Sequence, residues 1–116
     1  MTEKLKQIIQ EEVMKLPKEM QEAINSLDWG NIAEQIGKQY LLTESEVNDF
    51  QVETLLILVG LEYGDTYVQN IEDNVGTTKD EAKKISEEAF EKIVIPINNT
   101  LTEIIKKNLQ NRNPGP

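Results

Sequence analysis

Apolar residues return every three or four positions along almost the whole chain, and no stretch alternates apolar with polar residues as a half-buried strand would. That period predicts helices and nothing else. Leu5, Ile8, Ile9, Val13 and Leu16 form a first stripe, ended by Pro17, a residue suited to the first turn of a second helix. Met20, Ala23, Ile24 and Leu27 supply that helix with its apolar face. Asp28 has the chemistry of an N-cap for a third, with Trp29, Ile32, Ala33, Ile36 and Tyr40 on one side and Gly37 weakening the last turn. Thr43-Glu44-Ser45-Glu46 is a capping box, in which the hydroxyl and the carboxylate can each satisfy an otherwise unpaired backbone N–H, so a fourth helix starts there.

The fourth helix, Thr43 to Val59, differs from the rest because Val52, Leu55, Leu56, Ile57, Leu58 and Val59 cover nearly its whole circumference, which predicts a central, buried position. Gly60 and Gly64 bracket a short break. Asp65 can cap a fifth helix carrying Tyr67, Val68, Ile71 and Val75, with Gly76 as its stop. Thr78-Lys79-Asp80-Glu81 is a second capping box and opens a sixth helix through Ile93. Pro96 is expected to break or kink that helix, after which Ile97, Leu101, Ile104, Ile105 and Leu109 continue the pattern. The expectation is an all-α fold: a single compact bundle of six or seven short helices over residues 1–110 around a central apolar helix, with a disordered tail over 111–116.

Composition removes whole classes of chemistry. The 116 residues include no Cys and no His, so the usual ligands of Zn and Cu, thiol redox steps and every Ser-His or Cys-His nucleophile pair are missing. The one Arg, Arg112, lies in the expected tail, leaving no ordered arginine clamp. No catalytic residues, no cofactor and no enzyme activity are expected. Asp49 and Glu53, at i and i+4, could share a divalent cation on one helical face, but the alternating Asp/Asn pattern of a calcium loop is absent and no metal site is predicted.

Charge is distributed unevenly. The net charge is -9, and between Lys38 and Lys79 there is no Lys or Arg in 40 residues, while Glu44, Glu46, Asp49, Glu53, Glu62, Asp65, Glu72 and Asp73 contribute eight acids. Such a chain is repelled by phosphate backbones and anionic lipid, so neither nucleic acid nor membrane is expected as a partner. Three carboxylates at the start of the fourth helix also count against a helix-turn-helix reading of Ile32 to Asp49. A basic protein partner would be attracted, with the charge speeding encounter and fixing orientation. Those eight acids together with Tyr63, which lies outside every stripe in the exposed segment Leu61-Glu62-Tyr63, form the predicted partner-binding set. The alternatives are a solvated face with no partner, a bundle that binds a small apolar ligand through Val52 to Leu61, and a homodimer formed through that surface or through Ile97 to Leu109. The first twenty residues hold no continuous apolar run and the longest such run, Leu55 to Val59, is too short for a membrane span, so a cytoplasmic location is expected.

Leu16-Pro17 with Gln21-x-Ala23-Ile24, then Ile36-Gly37-Lys38-x-Tyr40, then Glu53-Thr54-Leu55-Leu56-x-Leu58-x-Gly60-Leu61 together resemble a family of short acidic helical bacterial domains of unknown function, over roughly Leu16 to Pro96. The resemblance implies a bacterial cytoplasmic all-helical domain. It carries over no catalytic or ligand-binding residue.

Overall fold

Every apolar stripe becomes a helix. The computed structural model describes residues 3–112, Arg112 by its backbone alone. The order is α1 (Glu3–Met14), α2 (Lys18–Asn25), α3 (Trp29–Gln39), α4 (Glu44–Leu58), α5 (Gly64–Asn70) running on into a π-helical turn (Ile71–Val75), α6 (Lys79–Ala89), a second π turn (Phe90–Val94) and α7 (Ile95–Arg112). There is no strand among the described residues. One apolar cluster runs from Ile9 in α1 to Ile97 in α7, and its fully enclosed members include Ile24, Phe50, Tyr67, Ile71, Ile85 and Ile93. The chain is an all-α bundle, elongated to 57 × 29 × 21 Å.

Local chemistry sets the helix ends. At α4 the Thr43 N–H donates to Glu46 Oε1 at 2.7 Å and the Glu46 N–H to Thr43 Oγ1 at 3.2 Å, which completes the capping box. Asp28 caps α3 and Thr78 caps α6. Gly37 is glycine for packing: a Cβ there would stand 2.7 Å from Val47 Cγ2, so α3 and α4 cross more closely than any side chain allows. α4 then lies between α3 and the arm made by α5 and its π turn, while α6 packs on α5 and α7 on α2. Along α4, Val47, Phe50, Gln51, Glu53, Thr54, Leu55 and Leu58 are buried and Val52 is exposed, so the helix is enclosed on most of its circumference.

Pro17 opens α2 as its N-cap, and Gln21 Nε2 donates to the Leu16 carbonyl at 2.7 Å and fixes the corner between α1 and α2. Three expectations are corrected. Asp65 does not cap α5; Tyr63 occupies the cap without a side-chain bond, and Asp65, in the first turn, adds its charge to the favourable end of the helix dipole. Pro96 does not end the helical run, which continues through the second π turn into α7. The π turn just ahead of it shifts the ladder to i−5, with the Ile95 N–H donating to Phe90 O, and a wider turn accommodates a residue that can neither donate nor tolerate the usual carbonyl beneath its ring. Finally, Asn111 and Arg112, assigned to the tail, are the last residues of α7; residues 113–116 of that tail lie outside the described residues.

Candidate functional site

The acids of the central segment divide into two groups. Glu44, Asp49, Asp65 and Asp73 are exposed, and Glu46 and Glu72 are half-buried. Glu53 and Glu62 are inside, at 6% and 9% exposure. Burial withdraws these two from any surface that a partner could touch. It also separates Asp49 from Glu53: the two carboxylates expected on one face point respectively to solvent and to the α5 arm, because Glu53 falls between Phe50 and Ile57 at the edge of the stripe that meets it. Among the described residues no group of three or more potential ligands could hold a metal ion.

The interior acids sit in a small polar cluster at the junction of α4 and α5. Glu53 Oε1 accepts from Asn74 Nδ2 at 3.0 Å, and Glu62 Oε1 accepts from Asn70 Nδ2. Thr54, one residue on from Glu53, spends its only proton on the Phe50 carbonyl at 2.8 Å. The Tyr67 hydroxyl, 2.8 Å from Thr54 Oγ1, must therefore be the donor of that second bond. Burial is the main cause that pushes the Tyr67 phenol above its ordinary range, and the two acids add to it. The second oxygens, Oε2 of Glu53 and Oε2 of Glu62, are buried with no partner. Burial first, and then the neighbouring Glu53 carboxyl, push Glu62 up to about 7; the Asn70 amide opposes them.

Glu62 reaches inward because of its turn. After α4 the Leu61 and Glu62 N–H groups both donate to the Leu56 carbonyl, at 2.9 and 3.2 Å. Gly60 makes that possible at φ 82, a left-handed conformation in which any side chain would be strained. Leu61 and Tyr63, on either side, are turned out at 69% and 79% exposure. The predicted contact segment is thus exposed at its two ends and buried at its middle.

The exposed acids are carried by two elements, α4 and the α5 arm. Glu46 lies against Gly76, its Oε2 3.9 Å from where a Cβ would stand, which sets the start of α4 beside the stretch carrying Glu72 and Asp73. Asp65 is eight residues from Asp73 along the arm, about 12 Å at the rise of a helix. None of the six makes an ion pair among the described residues. The pairs that do form, Lys6–Glu3, Lys15–Glu12, Lys38–Glu34, Lys92–Glu88 and Lys106–Glu103, all lie outside residues 39–78.

Residue typing from sequence passed over Asn70, Asn74 and Thr54. The signal was available in part, since Asn70 and Asn74 are i, i+4 and so share one face of the α5 arm. Concave surface lies elsewhere. A cleft of about 530 Å³ is bounded by Lys6, Ile9, Asp28, Trp29 and Gln51, and an apolar groove of about 470 Å³ by Pro17, Met20, Leu101, Ile105 and Leu109. Neither takes a wall from Val52 to Leu61. No helix is long and apolar enough to cross a membrane, among the residues described. No family model, curated protein or solved structure matches this chain.

Proposed function

We propose that the chain is a non-enzymatic docking module for a basic protein segment, received by the exposed acids of α4 and of the α5 arm with Tyr63 as an aromatic contact beside them. The observation that carries this reading is that, among the described residues, Glu44, Asp49, Asp65 and Asp73 make no ion pair, while the Lys residues in ion pairs are matched locally elsewhere. An unmatched surface of one sign raises the encounter rate with a partner of the other and loses that advantage as salt screens it, the Debye length being about 8 Å at physiological ionic strength. Within this reading Glu53 and Glu62 do not belong to the contact surface.

A titration of the isotopically labelled chain with a Lys/Arg-rich peptide tests it. Amide shifts are expected at Glu44, Asp49, Asp65 and Asp73, with affinity falling steeply as salt is raised. Binding that ignores salt, or shifts confined to other residues, overturns the reading. The groove under α7 favours a second reading, self-association: Ile105 and Leu109 are 43% and 58% exposed along it. That reading predicts peptide-independent, concentration-dependent shifts at Leu101, Ile105 and Leu109 in the same experiment.

A further inference from the structure

We propose that Glu53 and Glu62 hold one proton between them, and that its loss loosens the Gly60–Tyr63 turn, making the turn a pH-sensitive element between α4 and α5. Four carboxyl oxygens need donors at this junction. Both side chains are more than nine-tenths buried. One oxygen of each is served by an amide, from Asn74 and from Asn70. The other oxygen of each is buried without a donor, and the two amides that hold the carboxyls, Asn70 and Asn74, stand one turn apart on the α5 arm, which sets the carboxyls side by side.

Two ionised carboxylates placed so would repel each other and leave two buried acceptors unserved, a costly arrangement. A proton on one of them supplies a donor to the other and removes one charge. Among the described residues nothing else does this. The titratable groups facing Glu62 are Glu53 from α4 and the Tyr67 hydroxyl from α5, whose proton already goes to Thr54; the remaining polar contacts are the Asn70 and Asn74 amides. No Lys or Arg occurs from residue 39 to 78.

The turn is where the consequence falls. Glu62 is its only inward side chain, between exposed Leu61 and Tyr63, and its own N–H shares the Leu56 carbonyl with that of Leu61. When the shared proton leaves to solvent, the pair carries two charges and the stable outcome is for Glu62 to swing out to water. Those two backbone bonds weaken with it. Burial holds the Glu62 carboxyl at about 7, which puts the transition near neutrality. The proton-sharing is independent of what docks on the exposed acids.

Carboxyl-carbon and amide NMR of the labelled full chain from about pH 4 to about pH 9, with Glu53→Gln and Glu62→Gln beside it, tests the proposal. In the unaltered chain the Glu62 carboxyl carbon is expected to titrate near neutrality, the Glu53 carbon to sense the same step, and protection of the Leu61 and Glu62 amides to fall about tenfold across it. Glu53→Gln should lower the proton affinity of Glu62 about tenfold, since a like charge is replaced by a donor. Glu62→Gln keeps the partner of Asn70, donates to Glu53, and should hold the turn protected throughout. A Glu62 carboxyl that titrates in the ordinary acid range, or protection that follows pH unchanged in Glu62→Gln, overturns the proposal. So does a pair that binds calcium or magnesium saturably at millimolar concentration and loses its neutral step, for then the shared ligand is a cation.

Discussion

Asp49 and Glu53 stand one helical turn apart on α4, in the same Lys/Arg-free segment, and the protein treats them oppositely. Asp49 is exposed and makes no ion pair among the described residues, whereas Glu53 is 6% exposed and joined through Asn74 to the α5 arm. The first belongs to a region of unmatched charge in high-dielectric surroundings, where a carboxylate costs almost nothing. The second belongs to a region where each polar atom needs a named partner. The difference comes from where α5 returns. A carboxylate beside that arm becomes structural, and one a turn away remains available.

The largest expected effect comes from removing the floor beneath the buried region. Phe50 is fully buried, one turn ahead of Thr54, and its ring lies 6.4 Å from that of Tyr67 at 24°. Phe50→Ala should cost about 3–5 kcal/mol in urea unfolding, from lost transfer energy and the cavity left behind. It should also admit water to the acid pair and bring the Glu62 midpoint down. A loss below about 1 kcal/mol means that the two regions do not share a core at this point.

A smaller effect separates the regions by pH. Glu62 has a carboxyl pushed up to about 7 in the folded chain against 4.5 ordinarily. Between those values the folded chain holds a proton that the unfolded chain has released, so stability is greatest below the lower one and declines as pH rises through the upper one. The decline attributable to this group is at most about 3 kcal/mol, complete by about pH 8. It is read as the difference between the unaltered chain and Glu62→Gln in unfolding curves across that window. Parallel curves for the two chains contradict the assignment.

How much of this was legible beforehand depends on what each feature needs. Helix starts at Asp28, Thr43 and Thr78 are settled within four residues by capping chemistry, and the sequence contains all of them. The segment from Lys79 to Arg112 was expected to break or kink at Pro96 because a π turn has no composition signature, and only the i−5 bond at Ile95 reveals it. The acid pair was hidden for a different reason. Glu53 and Glu62 are nine residues apart and meet only because Gly60 reverses the chain, while Asn70 and Asn74 arrive from another helix. A charge run looks the same whether its members face water or each other. Gly37 illustrates the same gap on a smaller scale: local propensity marks it as a weak point, and the contact with Val47 that explains it is ten residues away.

The smallest effect is the sharpest test of the contrast. Asp49 lies beyond the first turn of α4, so it gains little from the helix dipole, and it neither caps nor pairs with a neighbouring cation. Asp49→Asn should therefore change stability by no more than about 0.5 kcal/mol at neutral pH, and relief of repulsion in a chain of net charge -9 makes a slight gain the expected sign. Its effect should appear instead as slower association with a basic peptide at low salt, vanishing at high salt. A stability loss above about 1 kcal/mol would place Asp49 with Glu53 as a structural acid. The exposed region would then have lost the one property, a charge that folding does not use, on which its docking role depends.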